Sequence, residues 1–429
     1  MSTPAGDQKV VRLYPPSYDI RVETTAIPQI EHPDDAIVKI KLAGLCGSDL
    51  HTYRGTESVT THFICGHEFV GHVVALGASF HAGVTGRPTL YSTLQIGDKV
   101  VSPFTVSCGE CHFCRIGFTS RCEESRLFGT AVTAGGQAQY VRVPRAGGTL
   151  YRLSDISAGA AGQEHLGKEA IAKLADSSLL LLCDILPTGV FAAFQALNHP
   201  KTLPMTTSLP YPLSSSATNV ASDISALHAQ DTVVTVAVVG LGPVGLCACV
   251  SLIEMLVSRG LQFRVVAIDP TESRRAKMAA IYSKISDKQD QFAVATIEEG
   301  KAIVKKWTNG IGCNAVLEVV GNNSALALSY ELVRPFGCIN SVGVHGEPQV
   351  PYKGRELYDK NVSMDFGRCP VRAMFPMALD ILLKRQDVFG AVGGDASLVE
   401  KIVSIDEAKE SYDLFDKGKC GKVLFDPWV

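Results

Sequence analysis

The longest uncharged run in the chain extends from Thr232 to Ile253, 22 residues without Asp, Glu, Lys or Arg. A membrane-spanning helix needs about 20 apolar residues, so the length alone would allow one. The interior of the run reads differently. Gly240, Gly242, Pro243 and Gly245 stand near its middle, and they divide it into a Val-rich strand, a tight turn and an apolar helix. Three more hydrophobic stretches follow: FRVVAIDP (263–270), GCNAVLEVVG (312–321) and GCINSVGVHG (337–346). Strands alternating with helices from about 187 to 365 predict a doubly wound parallel α/β sheet. Residues up to about 186 read as short alternating strands with Gly-rich turns.

At 429 residues the chain exceeds one ordinary core, and two domains are expected. Net charge is −3, and Lys and Arg form no long block. Neither nucleic acid nor an anionic membrane is expected as a partner. The first residues, MSTPAGDQKVVRLYPP, lack the apolar core of a signal peptide, so a cytoplasmic location is expected. Thirteen cysteines, an odd number, point to reduced thiols, some on a metal, rather than to a disulfide framework.

Four of those thiols crowd into CGECHFCRIGFTSRC: Cys108, Cys111, Cys114 and Cys122, spaced C-x2-C-x2-C-x7-C. Thiolates at this spacing can close around one tetrahedral Zn²⁺. With four sulfurs no coordination position stays open, so the site is structural. A second set is dispersed. LAGLCGSDLHTYRG offers Cys46, Ser48 and His51, and ICGHEFVGHVVALG offers His67 and Glu68. A catalytic zinc takes three protein ligands and keeps one position open. Cys46 and His67 supply two; by themselves they read equally well as a buried cysteine and a satisfied core histidine.

The Val-rich strand carries G-x-G-x-x-G at Gly240, Gly242 and Gly245, and a helix opens at Pro243 and Val244. The first glycine permits the tight turn, the second lets a pyrophosphate approach, and the third lets helix and strand pack closely. The helix N-terminus adds free N–H groups and a positive dipole end. The next strand ends in Asp269, placed to bind the adenosine ribose hydroxyls and to repel a 2′-phosphate. That favours NAD over NADP, although Arg274 and Arg275 follow and could tolerate a phosphate.

GLCGSDLH, GHEFVGHVVALG and the four-cysteine stretch, in that order, resemble the zinc-containing medium-chain alcohol dehydrogenase family. The resemblance implies a GroES-like β-rich catalytic domain at 1–186 and 366–429 and an NAD-binding Rossmann domain at 187–365. It makes Cys46 and His67 ligands of the catalytic zinc and sets Glu68 close to that metal. The third ligand lies four residues before a cofactor-facing threonine; counting back from Thr188 in LLCDILPTGVFAA gives Asp184, with Cys183 beside it as a competing thiol. DILPTG resembles the glutathione-independent formaldehyde dehydrogenase subgroup, where aspartate binds the zinc. A carboxylate is a competent ligand.

Two zinc ions per subunit follow, one structural and one catalytic. The resemblance also implies that backbone at Val342 and Phe366 holds the nicotinamide carboxamide. Arg274 covers the ribose, and Lys422 stands near the pyrophosphate. Gly47 replaces a common cation there. Three stretches exceed the family's usual length, the largest at 198–230, expected as a surface loop.

The reaction implied is oxidation of a small alcohol to its aldehyde, or the reverse, by a homodimer or homotetramer. Ser48 would take the proton of the alcohol and His51 would pass it to solvent, while Asp49 orients His67. Aldehyde dismutation or polyol oxidation at the same site, and a non-catalytic nucleotide-binding redox sensor, are the competing readings.

Overall fold

A computed structural model describes residues 4–80, 86–87, 91–153, 168–202 and 232–429. Most of the 198–230 insertion lies outside the described residues. The chain forms two compact units, Met1–Pro187 with Cys369–Val429, and Thr188–Arg368.

The first unit is rich in β-structure. One sheet runs Val399–Ser404, Lys422–Asp426, Ala36–Gly44, Phe69–Leu76, Lys99–Ser102, Tyr151–Arg152, and Tyr140–Val143 also pairs with Ala36–Gly44. A three-stranded sheet sets Asp7–Tyr14 between Asp19–Ala26 and Phe63–Ile64. Val38, Ile40, Phe69, Val73 and Phe128 are buried in one apolar cluster, and Leu13, Ile20, Leu45, Tyr412 and Phe425 in another. Ala36–Gly44 and Phe69–Leu76 are antiparallel, with Ala43 opposite Phe69. That register matters below, because residues just past Gly44 and just before Phe69 then emerge at the same end of the pair.

The second unit is a six-stranded parallel sheet in the order Phe292–Ala295, Phe263–Ile268, Val234–Val239, Cys313–Glu318, Val333–Ser341, Ser363–Phe366. This is the doubly wound 3-2-1-4-5-6 order, whose switch point lies between Val234–Val239 and Cys313–Glu318. Both of those strands are buried at every position, as expected of strands covered on both faces. The uncharged run is the strand Val234–Val239, a turn, and the start of the helix Pro243–Ser258. Among the described residues no single helix is long and apolar enough to cross a membrane.

Candidate active site and metal centres

Cys46 follows the strand Ala36–Gly44 by two residues, and His67 precedes Phe69–Leu76 by two. The antiparallel register brings them together, with Gly44 N–H donating to Glu68 O at 3.0 Å. Asp184 comes from elsewhere. It sits at a break between the 3₁₀ turn Leu181–Cys183 and the helix Ile185–Asn198, at φ −149° and ψ −71°. Its Oδ2 lies 3.5 Å from Cys46 Sγ and 3.4 Å from His67 Nε2. One donor atom from each of the three residues falls within 4.8 Å of the others. Cys183, the competing thiol, is fully buried and donates to Phe69 O at 3.3 Å, outside this set.

Asp49 holds two of the three in place. Its Oδ1 is 3.1 Å from His67 Nδ1, and its Oδ2 accepts from Cys46 N–H at 3.0 Å. An Nδ1–H committed to a carboxylate leaves Nε2 as the lone-pair nitrogen a metal needs. Burial by itself would lower the His67 pKa, but the carboxylates of Asp49 and Asp184 push it well up. Burial, then the charges of Glu68 and Asp184, push the Cys46 thiol up. The pocket thus gathers anions around one imidazole and calls for positive charge. Glu68 is wholly buried, and its Oε1 has no hydrogen-bond partner among the described residues. A Cys, His and Asp donor set, a buried orphan carboxylate oxygen and an oriented imidazole fit a catalytic Zn²⁺.

Ser48 Oγ is 3.2 Å from His67 Nε2, at the edge of the donor set. His51, in the short helix Asp49–Tyr53, is half-buried. Its backbone N–H donates to Ser48 O at 3.2 Å, and no hydrogen bond joins the two side chains among the described residues.

The four-cysteine stretch closes on itself, with one sulfur from each of Cys108, Cys111, Cys114 and Cys122 within 4.8 Å of the rest. Backbone N–H groups point at the sulfurs: Cys111 N to Cys108 at 3.2 Å, Cys108 N to Cys122 at 3.2 Å and Glu124 N to Cys122 at 3.3 Å. Such bonds favour thiolate. The Cys114 thiol, donating to Cys122, pulls the Cys122 pKa down and is itself pushed up. All thirteen cysteines are free of disulfides. The set fits a closed tetrahedral zinc site.

In the second unit Gly240 has φ +99°, and a Cβ on Gly245 would stand 1.9 Å from Gly240 O, so both glycines are sterically required. Gly242 caps the helix, with Pro243 and Val244 in its first turn. Asp269 is buried, and its oxygens accept from Leu241 N and Thr271 N, each at 2.8 Å, with Arg274 at 3.5 Å. The acid therefore also braces the glycine turn, a role the sequence reading missed. Val342 N–H donates to Glu318 O, Phe366 ends the edge strand, and Thr188 is buried.

Lys422 has a partner within the first unit. Its side chain has no exposure, and its ammonium bonds Leu45 O and the Glu68 carboxylate. It lies on the strand Lys422–Asp426, at a position that faces inward. Burial would lower its pKa; the charge of Glu68 raises it and keeps the amine charged. Its partner is 354 residues away, and no local pattern announces the pair.

Residues 32–155 match the family described as alcohol dehydrogenase GroES-like domain, and 243–384 match that described as zinc-binding dehydrogenase. Zinc-type alcohol dehydrogenase B of Aspergillus flavus is 37% identical over 409 residues, 95% of this chain and 79% of that one. The chain belongs to the zinc-type alcohol dehydrogenases. Zinc-dependent alcohol dehydrogenase or medium-chain reductase activity goes with that membership. A medium chain reductase/dehydrogenase of an Acremonium species is 38% identical over 82% of this chain and 99% of its own. An alcohol dehydrogenase from Thermus sp. ATN1 shares the fold at a TM-score of 0.72 and 27% identity, covering 97% of this chain and 99% of that one. Formaldehyde dismutase of Pseudomonas putida is more distant, 26% identical over 99% of this chain and 98% of its own.

Proposed function

We propose that this family member interconverts a small alcohol and its aldehyde at Cys46, His67 and Asp184, with NAD as hydride partner and two zinc ions per chain. The observation that carries the reading is the convergence of those three donors within 4.8 Å, already oriented by Asp49. Zinc held there would supply Lewis-acid polarisation of the substrate oxygen. The nicotinamide would supply a hydride acceptor. The remaining work falls to the chain.

Ser48 Oγ, beside His67 Nε2, takes the substrate hydroxyl proton, and His51, two residues from Asp49 and partly exposed, releases it to solvent. Glu68 keeps a free carboxylate oxygen beside the donor set while Lys422 holds its other oxygen. Gly240, Gly242 and Gly245 admit the pyrophosphate. Val342 and Phe366 border the nicotinamide carboxamide, and Thr188 faces the cofactor. The buried anion of Asp269 supports NAD over NADP. The four-cysteine set holds the second, structural zinc. The subgroup resemblance rests on Asp184; the formaldehyde dismutase itself is a distant relative. Thirteen free thiols fit a reducing, cytoplasmic setting.

The test is elemental analysis of folded protein together with NAD and NADP turnover over short alcohols, polyols and aldehydes. Two zinc ions and NAD-linked oxidation of an alcohol are expected. At most one zinc, or no turnover with any alcohol or aldehyde, would overturn the reading. Tightly retained NAD with equal yields of alcohol and acid from an aldehyde would shift it to dismutation.

A further inference from the structure

The carboxyl ends of the strands Cys313–Glu318 and Val333–Ser341 carry a polar cluster that no role above uses. Glu318 is wholly buried. Its Oε1 accepts from Val320 N and Gly321 N, each at 2.8 Å. Its Oε2 accepts from Ser341 Oγ at 2.5 Å and faces His345 Nε2 at 3.2 Å. His345 Nε2 is also 2.7 Å from Ser341 Oγ. The serine proton is committed to the carboxylate, so Ser341 Oγ accepts from the histidine, and the network assigns a proton to Nε2. One carboxylate thus ties together two loops, 319–321 and 342–345. Their backbones also touch: a Cβ on Gly343 would stand 2.2 Å from Gly321 N. Close packing of this kind moves as a unit.

Around this clasp the surface is apolar. Val320 is 44% exposed, and Val344 and Phe366 are each 46% exposed. The Phe366 ring meets His345 edge-on, with centroids 5.3 Å apart. Val320 also packs against the first glycine of the fingerprint, since a Cβ on Gly240 would stand 2.6 Å from Val320 Cγ2. In a doubly wound sheet a dinucleotide lies across the carboxyl ends at the switch point. Asp269 closes the strand Phe263–Ile268 on one side of that point. The other half of the ligand then falls over Cys313–Glu318, Val333–Ser341 and Ser363–Phe366, where the exposed apolar patch offers a flat ring a surface.

We infer that Glu318, Ser341 and His345 form a clasp that shapes the nicotinamide half of the dinucleotide site. His345 is a positioning residue, acting through Phe366 and the loop that carries Val344. The inference rests on the dinucleotide reading above.

Calorimetric titration of the zinc-loaded, full-length enzyme with NADH and with ADP-ribose, which lacks the nicotinamide, tests it. His345→Ala should weaken NADH about tenfold, the size expected for losing a hydrogen bond, and leave ADP-ribose unchanged. His345→Gln, whose amide N–H can still donate, should recover most of the loss. Unchanged NADH affinity would overturn the clasp, and so would parallel weakening of both ligands with a lower melting temperature. If His345→Ala fails to fold, Ser341→Ala carries the same comparison. Wild-type protein that binds neither ligand would remove the dinucleotide reading and the clasp with it. Binding of both by wild type with no selective loss in the variants would remove the clasp alone.

Discussion

The ammonium of Lys422 and the carboxylate of Glu68 face each other inside the first unit, neither side chain exposed to solvent. Glu68 directly follows His67, so the pair stands behind the Cys46, His67 and Asp184 set. Removing one member of a buried ion pair leaves the other uncompensated, at a cost of about 3–5 kcal/mol. Lys422→Met should therefore destabilise the protein by about that amount in denaturant unfolding. Adding Glu68→Gln should return much of it. A Lys422→Met protein as stable as wild type, with weakened cofactor binding alone, would favour the pyrophosphate role instead.

Asp184 separates a metal ligand from a helix-break residue. Asp184→Ala should reduce zinc from two ions per chain to one and lower turnover on the order of a thousandfold, the scale of several kcal/mol of Lewis-acid stabilisation. Asp184→Cys should keep the metal, because thiolate is an equally competent ligand. Metal analysis beside steady-state kinetics reads both. Full zinc content in Asp184→Ala moves the ligand elsewhere.

Cys114 is the most deeply buried of the four cysteines. Cys114→Ser should also cost one zinc, but here the loss shows first as stability, a fall in melting temperature of roughly 5 °C or more. The two cysteine-containing sites are thus told apart by which property falls with the metal.

Asp269→Asn removes the charge while keeping one acceptor for Leu241 N or Thr271 N. The ratio of kcat/KM for NAD to that for NADP should drop by about tenfold or more. An unaltered ratio would limit Asp269 to bracing the glycine turn.

Asp34 supplies a pH test that uses none of the residues of the Cys46, His67 and Asp184 set. Burial raises its carboxyl pKa, but hydrogen bonds from Ser79 and Arg145 and the charge of Arg87 bring it below the ordinary value. A depressed folded pKa contributes stability that is present above the unfolded value, about 3.9, and is lost as pH falls through the folded one. Melting temperature should decline below about pH 4, and Asp34→Asn should flatten that decline.

Much of the chemistry was legible because its residues are close in the chain. The four cysteines span fifteen residues, and the glycine fingerprint with its flanking strand and helix is one continuous run. In both, the spacing itself limits what the backbone can do. Asp184 was reached by counting from Thr188, and Asp49 by its nearness to Cys46. The pairing of Lys422 with Glu68 was not legible, for the opposite reason. Only when the strand of Lys422 is paired does Glu68 come within reach. The clasp is similar: Glu318 and His345 are unremarkable within their own stretches, and the parallel register of Cys313–Glu318 with Val333–Ser341 puts them together.

The sequence alone determined the local rules: thiols spaced for zinc, glycines where a turn and a phosphate need them, and alternating strands and helices that demand a parallel sheet. Tertiary structure decided which distant charges meet. Antiparallel register joined Cys46 to His67, a break before a helix swung Asp184 onto them, and an inward-facing strand position turned Lys422 toward Glu68. Those outcomes depend on strand order and register. These are set by how all the apolar faces are buried at once, and no single segment encodes them.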